Sequence, residues 1–375
     1  MIHNGLNLNI NADSVEFNNC CLSLSGVAKV KFGESIWDHK MFVPHIEKNK
    51  KNIWDPDCRN CQSLENSNRI SFRQGVLEEA GEEERLSGPR RIDLSFSRSC
   101  NLACRICGEM FSTYWTKHLK ENNIPIYNEE HFPTIFSDDK FLNGDAQKVI
   151  DTLKSIDLSN LRFLKFAGGE TLLGNDYWKI CEYLATLPHA KESLTISFQS
   201  NGTQVIPKKR HELLEKFHLI KLHFSIDGIE ERFNYQRWPA EWNQVSENLF
   251  SIRENAPGNV MFLLEETISI FNLAYISEVA EWKKRNFDTN KEGDITDHTH
   301  HLAHGVFRLA NCTKEYVDAM KTKGSMFYNM IPGDWKEDAA SIENMINKIK
   351  QFDQVRNQKF EDYLPEVASF YSRYL

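Results

Sequence analysis

RIDLSFSRSCNLACRICG, residues 91–108, is the stretch that decides the fold and dominates the interpretation of the chain. A strand-like alternation ends near Phe96, a short loop follows, and Cys100, Cys104 and Cys107 then fall at the spacing C-x3-C-x2-C. Three thiolates cannot complete a tetrahedral zinc site without a fourth ligand, and the sequence offers none nearby. They suit three corners of a cubane [4Fe–4S] cluster whose fourth iron stays open. The alternatives are a structural zinc loop and chance spacing.

The residues that follow alternate between strand-like and helix-like patterns. We expect strands over 91–96, 161–167, 193–199, 219–226 and 259–268, and helices over 144–157, 175–187, 209–217, 240–255 and 273–286. Such alternation predicts βαβ units and a parallel sheet or barrel, with the active site at the carboxyl ends of the strands. From about residue 313 onward the pattern is mostly helical.

Four ordered motifs carry a resemblance to a known family. CNLACRIC resembles the signature of the radical S-adenosylmethionine (SAM) superfamily, and Gly168-Gly169-Glu170 resembles its GGE motif. Asn201-Gly202 resembles its strand-end Asn-Gly, and 225–228 (SIDG) resembles its Ser-x-Asp-Gly. The resemblance spans about 90–275. It implies an α/β fold: a partial (β/α)6 TIM-like barrel with a small Cys-rich α+β twitch-like domain before it and a helical C-terminus.

The resemblance also implies a cofactor and its contacts. A [4Fe–4S] cluster on Cys100, Cys104 and Cys107 would bind SAM at its open iron. The candidate SAM-binding residues are Gly168, Gly169, Glu170, Asn201, Ser225, Asp227, Ile106 and Arg237. Glycines let a backbone approach a ligand closely, and a carboxylate after a strand suits ribose hydroxyls. Ile106 stands where the family commonly has an aromatic residue, and Arg237 is the candidate for the SAM carboxylate.

Four further cysteines cluster near the N-terminus: Cys20, Cys21, Cys58 and Cys61. Together with 57–65 (DCRNCQSLE) and 71–73 (SFR), they resemble the auxiliary-cluster region of SPASM/twitch radical SAM proteins. This implies a second, auxiliary Fe–S cluster, expected as [4Fe–4S]. Adjacent cysteines on a strand point to opposite faces, so joint ligation by Cys20 and Cys21 needs a bulge or turn. A zinc ribbon on the same four thiolates is the alternative.

Composition limits the possible partners and location. The chain has 375 residues and a formal net charge of −8, which disfavours a nucleic-acid partner. It has no apolar run long enough to span a membrane and no secretory signal pattern at its start. Clustered free thiols then fit a cytoplasmic protein. We expect domains at 1–88 (twitch-like), 89–310 (partial barrel) and 311–375 (helical segment), with an acidic linker over 76–90.

Three other features have modest interpretations. The run from His298 to His304 is dense in histidine, and we expect loop or substrate contacts there rather than a metal site. Cys181 lies in an apolar helical pattern and is expected in the core. Cys312 is expected either in the core or facing a substrate.

These observations predict a radical SAM enzyme. It would cleave SAM reductively to a 5′-deoxyadenosyl radical and abstract hydrogen from a substrate, with a ribosomal peptide as the expected substrate and oxidation or cross-linking as the outcome. A dehydrogenase of a small sugar- or cyclitol-like molecule is the alternative, and a non-catalytic Fe–S or zinc scaffold is the alternative of another class. The family implies a flavodoxin- or ferredoxin-type reductant.

Overall fold

The computed structural model describes residues 5–10, 14–18, 28–32, 34–51, 53–66, 71, 73–74, 87–125, 145–287, 295–324 and 328–375. Within these residues the strands form one sheet. Their bounds are β1 Gly5–Ile10, β2 Val15–Asn18, β3 Ala28–Val30, β4 Arg91–Ser95, β5 Phe163–Ala167, β6 Thr195–Ser200, β7 Leu219–Ser225, β8 Val260–Ile268 and β9 Ile295–Leu302. The strand order is β3-β2-β1-β4-β5-β6-β7-β8-β9.

Strands β4 to β9 are the six parallel strands of the partial barrel. Each pairs in parallel with the next along the chain, from Arg91 opposite Phe163 at one end to Ile268 opposite Leu302 at the other. Helical segments connect most of them, which is the connection that parallel strands require. The expected α/β partial barrel is confirmed.

The helices of the described residues follow the sequence pattern closely. Their bounds are α1 Phe42–Lys50, α2 Arg59–Asn66, α3 Thr113–Glu121, α4 Ala146–Lys154, α5 Asp176–Leu184, α6 Ala190–Ser193, α7 Lys208–Leu214, α8 Glu230–Gln236, α9 Trp242–Asn255, α10 Ile276–Asn286, α11 Lys314–Lys323, α12 Ala339–Arg356, α13 Phe360–Tyr363 and α14 Pro365–Ser369. The five expected helices correspond to α4, α5, α7, α9 and α10. No helix in the described parts of the chain is long and apolar enough to cross a membrane.

The N-terminal strands extend the barrel sheet. β1 pairs in parallel with β4, with Gly5 opposite Arg91 and Asn9 opposite Ser95, while β2 and β3 add antiparallel strands beyond it. β4, which leads into the cysteine loop, therefore has a strand on each side. A separate domain over 1–88 stays a prediction.

The strands alternate between a helix-packed face and a polar face. Leu164, Ile196, Leu222 and Leu264 are buried in one core with residues of α5 and α9. Since successive side chains point to opposite faces, the odd-numbered residues of these strands line the other face. We call this the inner face, and it carries the half-buried polar residues Lys165, Gln199, His223 and Glu265.

A second core joins the C-terminal helices to the cysteine loop. Ala103 of the loop and Trp115 of α3 are buried with Ile349 and Phe352 of α12 and with Tyr371. The region from 313 onward is helical, as the sequence predicts, and it covers the loop directly. The expected core position of Cys181 is confirmed, and Cys312 is also fully buried.

Candidate functional site

The cysteine loop begins where β4 ends, and α3 fixes its course. Cys100 is half-buried, Cys104 is buried and Cys107 is exposed. The hydroxyl of Ser112 donates to the carbonyl oxygen of Leu102 at 2.5 Å, and the indole Nε1 of Trp115 donates to the carbonyl of Cys104 at 2.8 Å. These bonds satisfy buried carbonyl groups of an irregular segment and hold the three thiols on one short, rigid loop.

A second segment, 235–238, supports the loop where α8 ends. The backbone N–H of Ala103 donates to the carbonyl of Trp238, and that of Arg105 donates to the carbonyl of Gln236, each at 2.8 Å. The two segments therefore pair like neighbouring strands, although neither is one. The position of the loop depends on residues about 130 positions further along the chain.

The C-terminal helix α12 holds the same loop through two arginines. Arg105 donates through Nη2 to the carboxylate of Asp353 at 2.5 Å, and through Nε to the carbonyl of Tyr235 at 2.9 Å. Arg356 donates through Nη2 to the carbonyl of Ala103 at 2.9 Å. Sequence reasoning missed these residues, because nothing in the helical pattern of 311–375 marks Asp353 or Arg356 as partners of the loop.

Gly168 and Gly169 bring the end of β5 against the end of β4. Gly168 has φ +128°, a conformation that favours glycine. A Cβ at Gly168 would lie 2.3 Å from the carbonyl oxygen of Ser97, and one at Gly169 would lie 2.1 Å from that of Ser99. The close approach that requires glycine here is therefore to the chain's own backbone. Contact of either glycine with SAM stays a prediction.

Glu170 links the ends of β4, β5 and β6. Its Oε1 accepts from the N–H of Leu172 at 2.9 Å, and its Oε2 accepts from the N–H of Asn201 at 2.6 Å. Its own N–H donates to the carbonyl of Ser99 at 2.7 Å. Burial raises the pKa of its carboxyl to about 7. Both carboxylate oxygens thus hold backbone groups, while direct contact with the SAM amino group stays a prediction.

Asn201 lies beside the first cysteine. Its Nδ2 donates to the side-chain oxygen of Asn101 at 3.0 Å and lies 3.9 Å from the sulfur of Cys100. Its Oδ1 accepts from the hydroxyl of Thr203 at 2.6 Å. The sequence-predicted residue is therefore brought to the cysteine loop.

Asp227 and Arg237 form a buried ion pair at the same edge of the sheet. Arg237 Nε lies 2.7 Å from Asp227 Oδ2, and Arg237 Nη1 lies 4.0 Å from the sulfur of Cys104. The other oxygen of Asp227 accepts from the N–H of Thr267 at 2.8 Å. Burial would lower the pKa of Arg237, but Asp227 outweighs it and holds this pKa above its usual range. Burial raises the pKa of the Cys104 thiol to about 12 against the opposing charge of Arg237.

Ser225 and Ile106 are the remaining candidates for SAM binding. Ser225 ends β7 and is half-buried, one strand from Asn201. Ile106 is partly buried and packs on the second core, and it lies between Cys104 and Cys107 in the sequence. Roles for Ser225 and Asp227 at ribose, for Ile106 at adenine and for Arg237 at the SAM carboxylate stay predictions. In the structure, the Asp227 carboxylate already has two partners.

The N-terminal cysteines are described only in part. Cys58 ends a 3-10 turn and is half-buried, and Cys61 is buried in α2. Cys20 and Cys21 lie outside the described residues. Of the quoted pattern, Glu65 and Arg73 form an ion pair at 2.5 Å, and Arg73 lies over the ring of Trp54. This pair joins Arg73 to the end of α2, and the auxiliary cluster stays a prediction.

Most of the histidine run lies in strand β9, so the expectation of a loop was wrong, while the expected substrate contacts stay a prediction. Hydrogen bonding to β8 makes it a strand, with Glu266 opposite His300. His301 Nε2 lies 3.8 Å from Glu265 Oε1, a carboxylate that also contacts His223 Nδ1 at 2.8 Å. Burial raises the pKa of Glu265, but the two histidines outweigh it and hold it well below its usual range. Sequence reasoning missed Glu265, and its only signal was a charge inside an apolar strand.

The loop fits an iron–sulfur cluster in its chemistry. In the described ranges, no three side chains of His, Cys, Asp or Glu converge closely enough to hold a single metal ion. Cysteine thiolates are the ligands that a cubane cluster takes, and all three thiols lie on this one loop. A guanidinium near the Cys104 sulfur suits a negatively charged thiolate site.

Comparison with known proteins found one matching family model and several similar solved structures. Residues 94–271 match the family model described as the Radical SAM superfamily. Among solved structures, hexahistidine-tagged anSMEcpe with bound AdoMet is similar at 15% identity and a TM-score of 0.42, with 72% of this chain and 61% of that chain covered. Streptococcus suis SuiB bound to its precursor peptide SuiA is similar at 12% identity and a TM-score of 0.38, with 98% and 75% covered.

TsrM from Kitasatospora setae, a radical SAM methyltransferase with cobalamin and a [4Fe–4S] cluster bound, is similar at 10% identity and a TM-score of 0.35, with 62% of this chain and 39% of that chain covered. No curated protein matches the chain. The aligned part of anSMEcpe is about six-tenths of its length. The matched residues 94–271 contain the cysteine loop and the ends of β5 to β8 described above. Residues 94–271 are therefore a radical SAM domain.

Proposed function

We propose that the chain is a radical SAM enzyme in which Cys100, Cys104 and Cys107 hold a [4Fe–4S] cluster with one open iron, and SAM binds there. One observation carries the proposal: the three thiols lie on one loop at the carboxyl end of β4, inside the matched residues 94–271. Polar residues at the ends of the next strands surround that loop. This is where parallel α/β folds place their active sites.

When bound, the cluster supplies the electron that cleaves SAM to methionine and a 5′-deoxyadenosyl radical, which abstracts hydrogen from a substrate. The chain's own residues position these groups. Glu170 fixes the backbone at Asn201, so that the Asn201 amide stays beside Cys100. Asp227 orients Arg237 toward Cys104. The guanidinium can then bind a carboxylate ligand next to the thiolates.

We take the substrate to be a ribosomal peptide that is oxidised or cross-linked on the inner face. The inner face carries half-buried polar groups where a closed barrel would pack branched apolar side chains. Gln199 donates to Glu265 at 3.0 Å, and Lys165 acts on the same carboxylate. Peptide amides suit such a lining, because each offers a donor and an acceptor. An auxiliary Fe–S cluster on Cys20, Cys21, Cys58 and Cys61 would accept the substrate's electron, and a flavodoxin or ferredoxin would reduce the first cluster.

Iron and sulfide analysis of anaerobically reconstituted protein tests the cluster assignment. The variant is the triple substitution Cys100/Cys104/Cys107→Ala, and the control is Cys181/Cys312→Ala, which removes two buried thiols of the core. We expect about eight irons in the wild type and about four in the triple variant, with the control unchanged. About four irons and one zinc, falling to zinc alone, would make the N-terminal site structural. Equal iron in wild type and triple variant would contradict the proposal.

The substrate class needs a separate experiment. We expect reduced protein with SAM to form some 5′-deoxyadenosine without substrate, and a true substrate should raise that rate. We expect stimulation by the peptide fraction of a cell extract and its loss after protease treatment. Stimulation by the small-molecule fraction alone would replace the peptide with a small metabolite.

A further inference from the structure

Arg356, at the end of α12, is buried without an ionic partner. Two other buried arginines beside the cysteine loop are paired with carboxylates, Arg105 with Asp353 and Arg237 with Asp227. Arg356 has no ion pair within the described residues, and its Nε and Nη1 have no hydrogen-bond partner there. The residue is only 7% exposed. A buried, unpaired charge is strongly unfavourable.

The surroundings of Arg356 compensate this charge only in part. The guanidinium carbon lies 4.7 Å from the ring centre of Trp115, 4.9 Å from that of Trp238 and 5.0 Å from that of Phe352. Aromatic faces attract cations, though less than a carboxylate does. Burial, and then the nearby Arg105, lower the pKa of Arg356 to about 9. It still carries its charge at neutral pH, in a place that disfavours it.

The cysteine loop lies next to the Arg356 guanidinium and can supply the negative charge that it lacks. Arg356 Nη2 donates to the carbonyl of Ala103, the residue before Cys104, and the charge of Cys104 acts on the guanidinium. Trp115, which packs on Arg356, also donates to the carbonyl of Cys104. When the three thiols become cluster ligands they are deprotonated, and the site carries net negative charge. That charge appears beside a buried guanidinium with two nitrogens that have no hydrogen-bond partner in the described residues.

We infer that Arg356 is a second counter-cation of the cluster besides Arg237: α12 places a positive charge that stabilises the thiolate-bound cluster and raises its reduction potential. The inference rests on the proposed function, because it requires Cys100, Cys104 and Cys107 to hold an iron–sulfur cluster. Reduction makes the site more negative, so a nearby cation favours the reduced form. Arg356 is thus a positioning and tuning residue and touches no reacting atom.

Three variants of the full chain test the inference. Arg356→Met removes the charge and keeps most of the bulk, and Arg356→Lys keeps the charge. Arg373→Met is the control, since Arg373 is an exposed arginine of the same C-terminal segment that pairs with Glu337. The midpoint potential is read by electron paramagnetic resonance from the signal that SAM perturbs and that the triple cysteine variant lacks. We expect a more negative potential in Arg356→Met and wild-type potentials in Arg356→Lys and Arg373→Met.

Thermal unfolding with and without the cluster decides the case in which Arg356→Met loads iron poorly. If Arg356 is a counter-cation, its buried charge destabilises the iron-free protein. Iron-free Arg356→Met should then have a melting temperature no lower than that of iron-free wild type. Its gain in melting temperature on loading should be smaller than that of wild type. An unchanged potential in loaded Arg356→Met would overturn the inference. So would an iron-free Arg356→Met that melts far below Arg373→Met. Wild-type protein that holds no iron on the three cysteines would instead refute the proposed function.

Discussion

Replacing Gly169 with alanine tests the contact between the ends of β4 and β5. A Cβ at this position would lie 2.1 Å from the carbonyl oxygen of Ser99 and 2.7 Å from the carbonyl carbon of Arg98. Both are backbone atoms, so no rotamer change can relieve the clash. Ordinary contact begins at 3.4 Å, and the two loops must therefore separate by more than 1 Å.

The loss in the free energy of unfolding follows from the hydrogen bonds that this separation of the two loops breaks. Gly169 donates to the carbonyl of Ser97 at 3.0 Å, and Glu170 donates to that of Ser99 at 2.7 Å. Each bond contributes about 1 kcal/mol net, and a buried group left without a partner costs about 1–3 kcal/mol. We expect Gly169→Ala to lower the free energy of unfolding by about 2–4 kcal/mol. It should also reduce iron incorporation, because Ser99 precedes Cys100.

Urea unfolding of the iron-free chain measures this loss, with iron analysis after reconstitution alongside. The control is Gly108→Ala, in the same cysteine loop, where a Cβ meets nothing within 4 Å. Its free energy of unfolding should stay within about 0.5 kcal/mol of wild type. If Gly169→Ala behaved like Gly108→Ala and bound full iron, the strand ends would not be in the contact described here.

Three further changes have expected outcomes. Glu170→Gln replaces one carboxylate oxygen with an NH2 group that faces a backbone N–H. The free energy of unfolding of the iron-free chain, measured in urea, should therefore fall by about 1–3 kcal/mol. An unchanged unfolding midpoint would show that the carboxylate is not the acceptor. Burial, and then the charge of Arg356, lower the pKa of His118 to about 4, below its unfolded value of 6.5. The free energy of unfolding should therefore fall as the pH drops from 6.5 toward 4, and the loss should be about 2 kcal/mol at pH 5. His118→Gln should flatten that slope, and an equally steep slope in the variant would assign it elsewhere. Asp227→Asn leaves Arg237 without its carboxylate, so the free energy of unfolding of the iron-free chain should fall by about 3 kcal/mol. The loss should be smaller after cluster loading, and an equal loss in both states would mean that the thiolates do not interact with Arg237.

Sequence reasoning could find the barrel strands β4 to β8 because each has a pronounced apolar pattern, with polar residues or cysteines following it. It could not find β9, whose sequence ITDHTHHL has little apolar alternation. Pairing with β8 makes that segment a strand, and such pairing is a long-range property. Tertiary context commonly overrides a weak local preference in this way.

In the candidate site too, local sequence patterns mark some residues, and others are brought together only by the fold. The cysteines, the glycines and Asp227 stand in recognisable local patterns. The pair of Arg105 and Asp353 joins residues 248 positions apart, and no local pattern marks it. The sequence marks Gly168 and Gly169 as points of close approach to SAM, and that contact stays a prediction. The protein atoms that come nearest to them belong to the loop after β4. Only the packed chain reveals which backbone comes near.

The parallel pairing of β1 with β4 has a practical consequence for dissecting this protein. Cutting the chain before residue 89 would strip β4 of one neighbour and expose the unpaired backbone groups of the strand that leads into the cysteines. A bare strand edge readily pairs with another molecule. A shortened chain would therefore be prone to aggregate, and its failure to assemble iron would say nothing about the N-terminal cysteines. Point substitutions of Cys58 and Cys61, which leave β1 in place, isolate their contribution cleanly.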